Sequence, residues 1–166
     1  MFFKNKNEKI LSEVINRNYA VIYFKPDGTV IKANEVFLKT MGYSLEEVVG
    51  KHHSMFCEEK FTKTQEYKDG WNDVRAGKTL TAEFQRVKKD KSLIFLRASY
   101  MPVIENGKVL EVIKLAQDIT KNRLKNLFFI GQVKAINKSN AVIEFDMNGN
   151  ILNANDNFLN TLGYKK

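Results

Sequence analysis

The sequence predicts an α+β domain: a five-stranded antiparallel sheet with helices across one face, flanked by an N-terminal helix and a linker helix. Three observations lead there. Strand-like segments come in the order ββ, several short helices, then βββ, which suits helices gathered on one side of an antiparallel sheet. Hairpin turn signals separate the strands within each group. Finally, residues 14–43 recur as residues 135–164, so the chain holds one domain and the beginning of a second copy.

The repeat sets the domain boundaries. The two thirty-residue stretches align without a gap at an offset of 121 residues, and fourteen positions are identical, from Ile15 and Asn16 through Gly28 and Asn34 to Gly42 and Tyr43. That offset is too long for a solenoid unit and is the size of a domain. The expected organisation is an N-terminal helix within 1–18, a complete domain over 19–120, a linker helix over 121–136 and a truncated second domain over 137–166. The second copy stops just past the match to Tyr43, so the chain reads as a piece of a longer protein.

Each element has a local cause. Ile10, Leu11, Val14 and Ile15 fall on one face of a helix over residues 5–18. Ala20–Phe24 is β-rich; Pro26-Asp27-Gly28 turns the chain, and Thr29–Ala33 returns as the second strand. Asn34 is placed to cap the next helix, whose buried face is Phe37, Leu38 and Met41, and Gly42 ends it. Ser44-Leu45-Glu46-Glu47 fits a capping box. A connector of open form runs from His52 to Phe61. Tyr67, Trp71 and Val74 then give a further helix its apolar face, up to Gly77. Leu80–Val87, Leu93–Val103 and Val109–Ala116 are the last strands, turned at Lys89-Asp90-Lys91 and Asn106-Gly107; Pro102 points to an edge or a bulge. From Thr120 a helix face forms again through Leu124, Leu127, Phe128, Gly131 and Ala135.

Composition narrows the function classes. The net charge is +8, but Lys and Arg are spread along the chain, so they read as a solvated surface and not as a nucleic-acid patch. The single cysteine, Cys57, cannot build an intrachain disulfide framework and reads as a small buried apolar residue. No run approaches the ~20 apolar residues that span a bilayer, and the N-terminus becomes charged too early for a signal peptide. A cytoplasmic setting is expected. Glu46-Glu47 and Glu58-Glu59 are sequence neighbours that diverge, and no nucleophile-elbow, P-loop, H-E-x-x-H or C-x-x-C pattern occurs. The chain is expected not to be an enzyme.

Taken in order, Ala20-Val21-Ile22, Asp27-Gly28, Asn34-x-x-Phe37, Gly42-Tyr43, Glu47-x-x-Gly50, Tyr100-x-Pro102, Gly107 and Asp118-Ile119-Thr120 resemble the PAS family over residues 16–120 and again over 137–164. More narrowly, Gly50-Lys51-His52-His53-x-x-Phe56, Glu66-Tyr67-x-x-x-Trp71 and Phe84-x-Arg86 look like the tandem PAS input regions of soluble bacterial chemoreceptors of the aerotaxis and biofilm-dispersal types. That resemblance implies a chemotaxis sensor feeding a downstream coiled-coil signalling region, dimeric through its flanking helices, with haem, FAD or no cofactor bound.

The candidate site residues follow. His52 and His53 are the only histidines; adjacent side chains diverge, so at most one enters the pocket. The resemblance makes one of them an axial ligand of haem iron, against a capping or surface role. The Trp that steadies bound gas on the last strand of oxygen-sensing relatives is absent from Val109–Ala116. Trp71 is the residue that would lie beside FAD, against a plain core role, and Asn34 could bond a ligand, against capping. The paired histidines weigh towards haem over FAD. The alternative is a cofactor-free module for dimerisation. The apolar residues of 137–164 lack sheet partners of their own, and contact with another copy is expected to cover them, the alternative being packing back on the first domain's sheet.

Overall fold

The computed structural model describes residues 2–164, with side chains from residue 6 onward; Met1, Lys165 and Lys166, which the expected end segments include, lie outside the described residues. Contact within the chain divides it into two units, Met1–Thr120 and Lys121–Lys166.

The first unit runs α1 (Phe2–Asn18), β1 (Ala20–Phe24), β2 (Val30–Ala33), α2 (Glu35–Met41), α3 (Leu45–Val48), a 3₁₀ turn (His53–Phe56), α4 (Glu59–Thr62), α5 (Gln65–Arg75), β3 (Leu80–Val87), β4 (Leu93–Glu105) and β5 (Lys108–Asp118). The five strands form one sheet in the order β2-β1-β5-β4-β3, antiparallel throughout. α2 packs on β1, and α5 packs on β3 and β4. This is the α+β architecture the element order predicts. The connector resolves into the 3₁₀ turn and α4. β4 runs two residues beyond Val103, and β5 extends to Lys108 and Asp118. Pro102 sits just beyond Tyr100, where pairing with β3 has ended, and its neighbour Val103 opens a bulge against β5; a residue without an N–H is tolerated there.

Alternation along the strands builds the core. Ala20, Ile22 and Phe24 of β1, Ile94, Leu96, Ala98 and Tyr100 of β4, and Val112, Lys114 and Ala116 of β5 are buried, as a period of two requires of one sheet face. The register places Ala20, Ala116, Ala98 and Ala82 in a row across the sheet. The next row is Ile22, Lys114, Tyr100 and Leu80.

The second unit contains α6 (which begins at Thr120 and runs to Ser139), β6 (Ile143–Phe145), β7 (Ile151–Ala154) and α7 (Asp156–Leu162). β6 and β7 form a two-stranded antiparallel pair, the counterpart of β1 and β2. Phe145, Ile151 and Leu152 are exposed in it, as are Leu124, Leu127, Phe128 and Ile130 of α6.

Candidate functional site

The four candidate residues separate into two structural roles. Asn34 is the N-cap of α2, accepting from Phe37 N at 2.8 Å and from Val21 N at 3.0 Å. Its amide donates to Tyr19 O at 2.8 Å and Asn16 O at 3.1 Å. One side chain therefore ties α1, β1 and α2 together with every donor and acceptor engaged. Asn155 repeats the pattern in the second unit, accepting from Phe158 N and Val142 N at 2.9 Å each and donating to Asn140 O at 2.7 Å and Asn137 O at 3.1 Å. Each partner lies 121 residues after its equivalent. This side chain organises the local fold.

His52 is exposed and precedes the 3₁₀ turn. The backbone brings it beside the β1–β2 turn through Val30 N to Lys51 O and His53 N to Gly28 O, both at 2.8 Å. Its Nδ1 accepts from Ser54 N at 3.2 Å. The proton therefore sits on Nε2, which donates to Asp27 O at 2.9 Å. Gly28 makes this approach possible: its φ is +90°, and a Cβ there would lie 2.7 Å from His52 Nε2 and 3.2 Å from Trp71 Cζ2.

His53 points the opposite way, into the core, at 2 % exposure. Its Nε2 is 2.8 Å from the Tyr100 hydroxyl and its Nδ1 is 3.2 Å from the Tyr67 hydroxyl. Phe24 and Trp71 lie T-shaped to the imidazole at centroid distances of 5.4 and 5.3 Å. Burial, followed by the charges of Lys114 and Arg86, holds its pKa well below the usual histidine range, so the ring is neutral. Adjacent histidines thus diverge as backbone geometry demands.

His53 and Trp71 line a cavity of about 360 Å³ between α5 and strands β3 and β4, with Phe61, Tyr67, Phe84, Arg86 and Tyr100 among its walls. Ala82, at the end of the alanine row, lines it as well. Asn34 and His52 do not. Arg86 lines it, while Lys114 pairs with Tyr100 across β5 and β4 and is outside the lining. Arg86 and Lys114 are 3 % and 2 % exposed. The Arg86 guanidinium lies 4.7 Å from the Phe84 ring centroid and 5.5 Å from that of Phe61. Its Nη1 donates to Gln85 O at 2.7 Å and its Nη2 to the Tyr100 hydroxyl at 3.4 Å. Lys114 Nζ lies 4.9 Å from the Tyr100 ring centroid. Burial pushes the Tyr67 phenol up to about 12. Burial would raise Tyr100 too, but Lys114 and Arg86 more than offset it and bring the phenol below its ordinary value.

Sequence patterning alone does not mark Arg86, Lys114, Tyr67 or Tyr100 as site residues. A signal of burial for Lys114 is present: strict alternation puts it between Val112 and Ala116 on the inner face of β5. Cys57 is buried as expected, and burial raises its thiol pKa. Among the described residues no cluster of three or more His, Cys, Asp and Glu could hold a metal ion, and no helix is long and apolar enough to cross a membrane.

Comparison with known proteins agrees with this architecture. The chain is 36% identical over 151 residues to biofilm dispersion protein BdlA of Pseudomonas aeruginosa, covering 90% of this chain and 36% of that protein. It thus spans about a third of that relative's length. A crystal structure of a PAS domain from Colwellia psychrerythraea superposes with a TM-score of 0.59 at 20% identity, over 68% of this chain and 97% of the other. A light-oxygen-voltage domain studied with a flavin analogue gives 0.59 at 15% identity, over 76% and 96%. The PAS domain family matches residues 18–121 and 139–166, most of both copies of the repeat, and the chain belongs to that family.

Proposed function

We propose that residues 19–120 are a cytoplasmic sensory input domain of a bacterial chemotaxis-type signal transducer, and that the cavity beside His53 is its sensing site. The observation that carries this reading is the cavity itself: it has aromatic walls, and its inner end holds a buried polar cluster. Pockets of this size and make-up are suited to small ligands and cofactor rings. The path outward is short. Tyr100 pairs directly with Lys114 across β4 and β5. β5 ends at Asp118, whose carboxylate accepts from Thr120 N at 2.8 Å, and Thr120 Oγ1 accepts from Phe95 N at 2.9 Å. A change at Tyr100 is thus carried along β5 to the first residue of α6, biasing one of two packings as a ligand switch requires. We also propose residues 121–136 as the linker and 137–166 as the start of a second domain of the same family. Exposed apolar residues on α1 and α6 favour a homodimer through those helices.

Of the cofactors that the resemblance implies, the residues suit a flavin better than haem. Neither imidazole has a ring nitrogen free for iron: His53 is engaged by Tyr100 and Tyr67, His52 by Asp27 O and Ser54. Trp71, Phe61 and Phe84 would flank a flat ring, and Arg86 would face its polar edge. A bound flavin would supply reversible redox chemistry; the relative studied with a flavin analogue lends weight to this choice. The absorbance spectrum of the purified chain tests it. Flavin bands would place that cofactor in the cavity. A Soret band lost in His53→Ala or His52→Ala would replace flavin by haem. A colourless protein that binds nothing at the cavity would leave the cofactor-free interaction module as the better account.

A further inference from the structure

Two basic side chains are buried beside this cavity without a carboxylate, and burial lowers the pKa of Lys114. None of the ion pairs among the described residues involves Arg86 or Lys114. The groups that act on their charges are the phenols of Tyr100 and Tyr67 and the Cys57 thiol, with Arg86 acting also on Lys114. Arg86 Nε is buried with no hydrogen-bond partner. A buried charge is costly unless paired, and a buried donor left unmade costs its desolvation. Arginine's planar fork matches a carboxylate, and stacking on aromatic rings leaves its edge free to bond. Here the guanidinium lies against Phe84 and Phe61, both walls of the cavity.

We propose that the cavity binds a small aromatic monocarboxylate, its carboxylate on Arg86 and its ring between Trp71, Phe61 and Phe84. The Tyr67 and Tyr100 hydroxyls are within the same walls and complete the polar end. The outer part selects against a second negative charge. Glu66 and Asp69 are exposed and Asp73 half-buried where they line the cavity, so a dicarboxylate would bring its far end against them. This inference rests on the cavity being a sensing site and gives that site's ligand a chemical class.

The test is a titration of the full chain followed by fluorescence of Trp71, the only tryptophan. The probes are phenylacetate, its neutral analogue phenylacetamide, and succinate. Phenylacetate should saturate the signal, phenylacetamide should bind at least about tenfold more weakly because the charged hydrogen bond is lost, and succinate should not bind. Arg86→Gln should abolish the preference for acid over amide. The acid–amide comparison needs no variant and decides even if Arg86→Gln fails to fold. Equal binding of acid and amide overturns the carboxylate assignment and leaves the sensing site standing. No binding by either to a colourless protein overturns both. If flavin co-purifies, phenylacetate must displace it, and simultaneous binding of the two overturns the assignment.

Discussion

The Tyr100 hydroxyl lies 2.8 Å from His53 Nε2, joining the 3₁₀ turn to β4 across 47 residues of sequence. Arg86 Nη2 donates to the Tyr100 oxygen; a neutral imidazole carries one N–H and one acceptor nitrogen, so one of the two phenols donates to His53 and the other accepts from it. The neutral imidazole thereby links the cation at the cavity's inner end to the phenol on α5. His53, one of the two histidines considered as an iron ligand, is in this arrangement the hub of a hydrogen-bond relay around the cavity.

The two histidines should separate in stability. His53→Ala removes a buried ring and strips two phenols of a partner, and should destabilise the first unit by about 2–4 kcal/mol. His52→Ala loses a cap and one surface tie and should cost about 1 kcal/mol. Urea unfolding monitored by Trp71 fluorescence compares them; equal losses would contradict the opposed orientations.

Stability should fall on mild acidification. His53 is buried neutral with a folded pKa well below its ordinary 6.5, so below that value the unfolded chain binds the extra proton. The contribution is fully present above pH 6.5 and is lost as pH falls below it, with a slope approaching about 1.4 kcal/mol per pH unit. Asp27 and Asp90 have lowered pKa values and titrate only below their ordinary 3.8, giving a separate later loss. His53→Gln should flatten the first phase and keep the second. A first phase of the same slope in that variant would assign it elsewhere.

Asn34→Ala should destabilise the first unit by about 2–3 kcal/mol, because the cap and a buried tie to Val21 go together. Asn34→Asp keeps the two acceptor bonds and loses the donors to Tyr19 and Asn16, and should recover part of the loss. Asn155→Ala should act in the same direction on the second unit alone, read by amide exchange at Val142 and Phe158. A loss from Asn155→Ala confined to the first unit would contradict the equivalence of the two networks.

Gly28→Ala should disturb His52 and Trp71 together. The backbone there is left-handed, and the added methyl would meet His52 Nε2 at 2.7 Å. A loss of about 1–3 kcal/mol with a shifted Trp71 emission is expected; an unshifted emission at full stability would show that the contact is not tight.

The fold was legible because its signals are local. Asp27-Gly28, Asn106-Gly107 and the period-two strands determine hairpins without reference to the rest of the chain, and the repeat marks where the second copy begins. The site was less legible because it is assembled from distant rows. Choosing between His52 and His53 needs the Gly28 approach, which only the packed turn reveals. Arg86 stood in the sequence as part of a motif, and Lys114 as one charge among many. Their burial against Tyr100 follows from the β3–β4–β5 register, which strand order alone does not give.

Backbone amide exchange along Ile113–Thr120, with and without an occupant that saturates the Trp71 signal, tests most directly whether the cavity is read out through β5. Slowed exchange at Leu115, Ile119 and Thr120, with Val30–Ala33 of β2 unchanged, is the predicted result. Saturation of Trp71 with exchange unaltered throughout Ile113–Thr120 would contradict the account, leaving a cavity that binds a ligand but has no route to α6.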